Sequence, residues 1–145
     1  MEYVKADLFP ASPEIQRIDC TAIPYGEGKF DIVIANHVLE HVPDYHKALS
    51  EVFRVLRPGG MAVLQTPYSR LLNKNFEDPG IDNDGARLFF YGQEDHVRVF
   101  GQSQLFESIR NAGFQLEVVE HSRFFDDRDA FYYGVNKDEP FLLIT

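Results

Sequence analysis

FDIVIANHVLEHVPD, residues 30–44, joins a short apolar run to an abrupt cluster of polar side chains. The run is nearly continuous and rich in β-branched residues, which is typical of a parallel strand covered on both faces. Asn36, His37, Glu40 and His41 follow it at once. Because ligands bind beyond the carboxyl ends of strands in open α/β sheets, the stretch predicts a buried strand that ends in a functional site. For each polar residue, a purely structural role at the strand end stays open as the alternative.

Composition and charge narrow the classes of function. The chain has 145 residues, of which 44% are hydrophobic and 26% charged, and this indicates one globular domain rather than a disordered chain. A net charge of −9 argues against nucleic acid as a substrate, since nucleic-acid affinity rests on clustered Lys and Arg. We see no membrane-spanning run and no signal peptide, so a cytoplasmic protein without membrane contact is expected. The lone Cys20 excludes an internal disulfide and is expected to be a small buried hydrophobe.

A helix and a second strand are predicted after residue 44. Asp44 is a suitable N-cap, and the apolar residues of the next three turns, Phe53 among them, fall on one face and predict a core-facing helix. Residues 57–60, RPGG, would end this helix, and the apolar run of residues 61–65 predicts the next strand. Strand, helix and strand in this order form a βαβ unit, which implies a parallel sheet.

Two segments outside this unit are predicted to serve the site. Residues 3–8 indicate a short strand that ends at Asp7. Residues 68–100 are a long polar connection, and such a length in a compact domain predicts a lid or substrate loop within the single domain formed by residues 1–145.

The C-terminal part of the chain predicts one helix and two strands. Apolar residues recur at helical spacing between residues 105 and 112. Residues 115–120 and 141–145 then indicate strands, and the segment between them, residues 124–134, is predicted to be an aromatic and acidic loop. Because no helix is predicted between these strands, they are expected to pair antiparallel.

Four segments resemble the class I S-adenosylmethionine-dependent methyltransferases, especially the small-molecule enzymes related to the ubiquinone and menaquinone methyltransferases. In family order they are DCTAIPYGEGKFDIVIANHVLEHV (19–42), ALSEVFRVLRPGGMAVLQTP (48–67), GQEDHVRVFG (92–101) and LFESIRNAGF (105–114). The resemblance implies a Rossmann-like α/β fold, with a doubly wound and mostly parallel sheet and an antiparallel C-terminal strand pair. It also implies methyl transfer from S-adenosylmethionine to a small-molecule acceptor.

The resemblance assigns roles to residues at three strand ends. Asp7 matches the acid that holds the ribose hydroxyls, and a carboxylate suits a diol because it accepts two hydrogen bonds in parallel. Asp19 with Cys20 matches the pair that holds the adenine. Asn36, with His37 beside it, matches the position that faces the methionine part and the reacting methyl group.

Histidines are the candidate general bases for such a transfer. His37 and His41 are the predicted catalytic residues, because an imidazole ordinarily titrates near neutral pH. A base is needed only when the acceptor must lose a proton, so a reaction without one stays open. His96, in the Asp95-His96-Val97-Arg98 stretch of the predicted lid, is expected to fold over the same site. The alternative is that this stretch is structural, with Asp95 and Arg98 holding the lid in place.

One part of the family pattern is absent from this sequence. The first strand and its glycine-rich turn should precede Tyr3, and Gly26-Glu27-Gly28 is not preceded by a strand and does not open a helix. The loss predicts a fragment of a longer protein, an inward shift of the second strand onto residues 30–35, or a second chain, in a homodimer or with another partner, that completes the sheet. The alternative function is a non-catalytic or partner-dependent subunit that does not bind the cofactor alone.

A metal site is a further alternative, although the primary prediction assigns no metal. His37-x-x-Glu40-His41 resembles the Glu-x-x-Glu-His metal site at this strand end in some quinone-pathway and small-RNA methyltransferases. Here His replaces the first Glu, which would favour a softer transition metal over magnesium. Pro43 argues against an α-helix in this segment.

Overall fold

The computed structural model describes residues 3–134, 136 and 140–145. The strands of this part of the chain are β1 Ala6–Asp7, β2 Gln16–Arg17, β3 Phe30–Ile34, β4 Leu56–Val63, β5 Tyr68–Ser69, β6 Phe100–Gly101, β7 Leu116–Val119 and β8 Phe141–Ile144. The α-helices are α1 Tyr45–Val55, α2 Asp84–Tyr91, α3 Gln102–Asn111 and α4 Asp127–Tyr133. Single 3₁₀ turns lie at Leu39–His41 and His121–Arg123.

The central sheet has four strands in the order β3-β4-β8-β7. β3 and β4 are parallel and are joined through α1, so the predicted βαβ unit is confirmed. β8 runs antiparallel to both β4 and β7, which confirms the predicted C-terminal pair. The α/β class is thereby confirmed, although β1 with β2 and β5 with β6 form separate two-stranded parallel sheets.

Helix α1 supplies much of the core, as its sequence predicts. Asp44 caps it by accepting a hydrogen bond from the backbone amide of Lys47 at 3.0 Å. Its inner face is buried through Tyr45, Ala48, Leu49, Val52 and Val55. Phe53 was predicted to belong to this core, and that prediction is wrong. Its ring is 45% exposed because it lies at the flank of the helix, edge-on to Phe114.

The prediction that β3 is covered on both faces is also wrong. Ile32 and Ile34 are 48% and 66% exposed, while Phe30 and Val33 pack against the core. β3 is the last strand of its sheet among the described residues, so one edge and one face have no covering element there. The predicted inward shift of the second strand is not observed either, because β1 pairs with β2 and not with β3.

β4 begins five residues earlier than predicted. Helix α1 ends at Val55, before residues 57–60, and Leu56, which was predicted to lie on the helix, is already extended. Residues 57–60 continue as extended chain with a register shift opposite Phe30 and Ile32. Gly60 permits this irregular pairing, since an added Cβ would lie 2.9 Å from the Arg57 carbonyl oxygen and 3.0 Å from that of Asp31. A turn motif in the sequence therefore forms part of a strand in the fold.

Helices α2 and α4 lie where loops were predicted. Asn83 caps α2 through its side chain at the amide of Ala86, and Asp126 caps α4 at the amide of Asp129. A glycine in the left-handed conformation ends each helix, Gly92 for α2 and Gly134 for α4. Most of their large apolar side chains are exposed, so neither segment shows the buried stripe by which helices are found in a sequence.

Candidate functional site

Asp7 and Asp19 lie at the same edge of the β1–β2 sheet. The two strands are parallel, and the Asp7 carbonyl oxygen accepts from the Ile18 amide at 3.0 Å. Asp7 is the last residue of β1, and Asp19 follows the carboxyl end of β2. Asp7 Oδ1 accepts from the Phe9 amide at 2.7 Å, and Asp19 Oδ1 accepts from the Thr21 amide at 2.8 Å. The second oxygen of each exposed carboxylate has no hydrogen-bond partner among the described residues. Two acceptors are therefore directed to solvent at one sheet edge.

Local hydrogen bonds shift the pKa of Asp19, and burial shifts the pKa of Cys20. The hydroxyl and amide of Thr21 both donate to Asp19 and lower the pKa of its carboxyl, which favours the carboxylate. Cys20 is half-buried against the core, and burial, reinforced by the Asp19 charge, raises the pKa of its thiol. The thiol thus packs as a small hydrophobe, in agreement with the prediction.

Asn36 and His37 shape the end of β3. The His37 amide donates to the Gln65 carbonyl oxygen at 2.8 Å, while Asn36 Oδ1 accepts from the Gln65 amide at 3.3 Å. His37 adopts a left-handed backbone with φ of +53°, which is uncommon for a residue with a side chain and typical of functional turns. Its ring is largely exposed, with Nδ1 3.3 Å from Glu40 Oε1.

A second cluster forms where residues 92–99 meet the 3₁₀ turn after β3. His41 and His96 have ring centroids 4.8 Å apart at 77°, so the two rings are in edge contact. Glu40 lies beside them and is 1% exposed. Ligand atoms of these three residues all fall within 4.8 Å of one another.

Arg98 connects its segment to the turn after β3, which is the alternative expectation for this stretch, but its burial was not predicted. It is 4% exposed, donates to the carbonyl oxygens of Leu39 and Pro43 at 3.2 and 2.8 Å, and pairs with Glu77 at 2.8 Å. Its guanidinium also lies 4.8 Å from the centre of the Tyr45 ring. Three chain segments are thereby joined through one buried cation.

An open cavity of about 230 Å³ adjoins the histidine cluster. Its lining comes from residues 67–69 and from Tyr91, His96, Arg98 and Val99. Almost all of these residues lie in the segment predicted to be the substrate loop. The cavity combines aromatic walls with one imidazole and one guanidinium.

No helix in the described part of the chain has both the length and the apolar character needed to cross a bilayer.

Comparison with known proteins identifies the family. Residues 1–119 match the family model described as "Methyltransferase domain", and the chain belongs to this methyltransferase family. It is 31% identical over 122 residues to a "probable S-adenosylmethionine-dependent methyltransferase" of Mycolicibacterium smegmatis, covering 81% of the chain and 43% of that protein. It is 33% identical over 120 residues to the ubiquinone biosynthesis O-methyltransferase of Psychrobacter arcticus, covering 80% and 45%.

Solved structures agree with the fold. The 1,6-didemethyltoxoflavin-N1-methyltransferase of Burkholderia thailandensis, crystallised with bound 1,6-didemethyltoxoflavin and S-adenosylhomocysteine, superposes with a TM-score of 0.56 at 18% identity. The match covers 96% of this chain and 57% of that one. The fold is therefore the Rossmann-like methyltransferase fold, and the chain spans about half the length of the curated relatives it matches.

Proposed function

We propose that this chain takes part in S-adenosylmethionine-dependent methyl transfer to a small-molecule acceptor in the cytoplasm. The observation that carries the proposal is the placement of Asp7 and Asp19 at the carboxyl ends of the paired strands β1 and β2. The chain also matches the methyltransferase family over residues 1–119. Each acid keeps one carboxylate oxygen without a hydrogen-bond partner among the described residues. These are the acceptors that a ribose diol and an adenine amino group require.

The proposed binding roles follow the strand ends. Asp7 would hold the ribose hydroxyls, and Asp19 with the backbone of Cys20 would hold the adenine. Asn36 and His37 would border the methionine part. When bound, the cofactor supplies a methyl group on a sulfonium, and its transfer is an in-line displacement that depends chiefly on positioning.

The acceptor is proposed to enter the cavity beside His96. A volume of about 230 Å³ walled by Tyr68 and Tyr91 suits a small and partly apolar molecule. Residues 68–100 would act as the substrate lid, and His41 or His37 would accept a proton from an acceptor that must lose one. Turnover restricted to macromolecules in an acceptor screen would refute this assignment.

Calorimetric titration with S-adenosylmethionine tests the cofactor site. Asp7→Asn and Asp19→Asn should each weaken binding by about 10-fold to 100-fold, the loss expected for a charge-assisted hydrogen bond. Asp82→Asn is the matched control, since Asp82 is an exposed carboxylate in the loop before α2. If all three variants bound S-adenosylmethionine with the wild-type affinity, the roles proposed for Asp7 and Asp19 would be refuted.

The outer edge of β3 favours a second candidate function. Ile32 and Ile34 are exposed there, and the edge has no strand partner among the described residues. Such an edge is a template for pairing with another strand. We therefore keep the alternative of a partner-dependent, methyltransferase-like subunit whose sheet is completed by a second copy or by another protein, and which does not bind the cofactor alone.

Light scattering on the calorimetry sample separates the two candidates. Cofactor binding by a monomer supports the first and contradicts the second. Association that disappears in Ile34→Lys, together with binding only in the associated state, supports the second, because a charge on an edge strand blocks pairing. A folded monomer that binds nothing would contradict autonomous cofactor binding.

A further inference from the structure

Two tyrosines give the cavity beside His96 supported aromatic walls. The Tyr68 ring is edge-on to Phe106 with the centroids 5.4 Å apart, and the Tyr91 ring is edge-on to Phe76 at 5.6 Å. Both tyrosines line the cavity, whose volume is about 230 Å³. An apolar cavity of about 150 Å³ is enough to hold benzene, so a single substituted ring fits this space. Because aromatic side chains attract other rings, the walls favour an aromatic ligand.

His96 contributes a hydrogen-bond acceptor to the lining of this cavity. Its Nδ1 makes a hydrogen bond of 3.3 Å with the Tyr91 carbonyl oxygen. A carbonyl oxygen can only accept, so Nδ1 carries the proton of the neutral imidazole and Nε2 keeps a lone pair. The edge contact with the His41 ring supports this orientation. A ligand that contacts His96 Nε2 must therefore bring an N–H or O–H group.

Ser69 and Arg98 contribute hydrogen-bond donors to the same lining. Ser69 Oγ accepts from the Leu71 amide at 3.3 Å, which leaves the hydroxyl hydrogen to donate elsewhere. A guanidinium has five N–H groups. In the part of the chain that the structure describes, Arg98 makes four hydrogen bonds, to Glu77 and to carbonyl oxygens of residues 39–43. A hydroxyl hydrogen and one guanidinium N–H are therefore left to donate to a ligand oxygen.

The positive charge in the cavity wall is already balanced. Arg98 Nε donates to Glu77 Oε2 at 2.8 Å, so the buried guanidinium has a carboxylate partner. The chain as a whole carries a net charge of −9. An anionic ligand would therefore gain little from Arg98 and would be repelled by the overall charge of the chain. The cavity favours a neutral ligand over a carboxylate.

We propose that this cavity binds a neutral phenol with one ring and a second oxygen, and that the phenol hydroxyl donates to His96 Nε2. The second oxygen accepts from Ser69 and Arg98, and the ring lies between the two tyrosines. The inference rests on the proposed function, because such a phenol is the class of methyl acceptor that the site would take. The methylated product would lack the hydrogen bond to His96, which favours its release.

Titrations of the chain without cofactor test the ligand class. They compare meta-hydroxybenzamide with its methyl ether and with meta-hydroxybenzoate. The neutral phenol should bind about 10-fold more tightly than the ether, which cannot donate to Nε2, and more tightly than the benzoate anion. Equal binding of phenol and ether would overturn the hydrogen bond. Tighter binding of the benzoate would overturn the neutral class.

His96→Phe keeps an aromatic ring at this position and removes Nε2. It should weaken binding of the phenol about 10-fold and leave binding of the ether nearly unchanged, so the preference for the phenol disappears. His46→Phe, at an exposed histidine on α1, is the matched control and should keep the preference. If folded His96→Phe also kept the preference, the role of His96 would be overturned.

Two further measurements separate this inference from the proposed function. Nitrogen NMR of the neutral His96 ring should place the proton on Nδ1, and a proton on Nε2 would overturn the acceptor role. Binding of S-adenosylmethionine without binding of meta-hydroxybenzamide would overturn the phenol site and leave the cofactor site standing. Binding of the phenol without binding of the cofactor would support the cavity assignment and contradict methyl transfer by this chain alone.

Discussion

The carboxylate of Glu51 and the guanidinium of Arg54 form a two-point ion pair on α1. Arg54 Nε donates to Oε1 at 2.9 Å and Nη2 donates to Oε2 at 2.7 Å. The pair also holds the loop before β3, because Glu51 accepts from the Ile23 amide at 2.9 Å and Arg54 donates to the Tyr25 carbonyl oxygen at 2.7 Å. One ion pair on α1 therefore holds the loop that leads into β3.

Glu51→Gln should destabilise the fold by about 2 kcal/mol at neutral pH, since it removes hydrogen bonds to a charged group. Hydrogen bonds from Arg54 lower the pKa of Glu51 from 4.5 to about 2. The stabilisation is therefore complete above pH 4.5 and is lost as the pH falls toward 2. Urea unfolding of both proteins should show a difference that shrinks across this range. Glu107→Gln, at an exposed position on α3, is the control, and a pH-independent difference for Glu51→Gln would contradict the argument.

Arg98→Lys should loosen the attachment of residues 92–99 to the turn after β3 more than a conservative change suggests. Lysine cannot reproduce the fork that reaches the carbonyl oxygens of Leu39 and Pro43 together with Glu77. We expect a loss of about 2–4 kcal/mol and faster hydrogen exchange at the Val97 amide, whose acceptor is the Glu40 carbonyl oxygen.

Arg110→Lys is the matched control for this variant, because Arg110 is exposed in the last turn of α3. It should change stability by less than about 0.5 kcal/mol. If the two substitutions changed stability by similar amounts, the buried contacts of Arg98 would not stabilise the fold more than an exposed arginine does.

The sequence predicted the elements that are specified locally. The cap at Asp44 and the apolar face of α1 act within a few residues, and both features are found in the fold. The antiparallel pairing of β7 with β8 was also predictable, because no helix was expected to cross between them and α4 does not alter their pairing.

What the sequence could not predict depends on contacts between distant residues. The exposure of Ile34 follows from the place of β3 in the sheet, and the run of β-branched residues carries no information about that place. The burial of Arg98, which was expected only to help hold the loop in place, depends on tertiary contacts. The roles assigned to Asp7, Asp19, Asn36 and His37 stay predictions until cofactor binding is measured.

The two faces of β3 should respond differently to substitution. Val33→Ala should cost about 1–2 kcal/mol because Val33 packs against the core. Ile34→Thr should change the free energy of unfolding by less than about 0.5 kcal/mol, since Ile34 is 66% exposed. Chemical denaturation at a concentration where light scattering reports a monomer checks both values. A large cost for Ile34→Thr in the monomer would mean that the outer face is covered.

Gly101 is the glycine at which an added methyl group should destabilise the fold most, because it has the closest neighbouring atom. Its backbone conformation is ordinary, with φ of −88°, so the argument is purely steric. An added Cβ would lie 2.4 Å from the Lys74 carbonyl oxygen, and backbone cannot rotate away as a flexible side chain does. Gly101→Ala should therefore displace the segment beside β6 and cost about 1–3 kcal/mol.

Gly85→Ala supplies the contrast, because an added Cβ there meets only the Asn83 side chain at 3.6 Å and alanine favours the helix. Gly85→Ala should raise the unfolding free energy by about 0.5–1 kcal/mol, and calorimetric melting of the two variants measures the opposite signs. Since β6 pairs with β5, whose residues Tyr68 and Ser69 line the cavity, Gly101→Ala should also perturb this part of the cavity wall. If Gly101→Ala were as stable as wild type, residues 72–74 would have to lie farther from β6 in solution than they do in this structure.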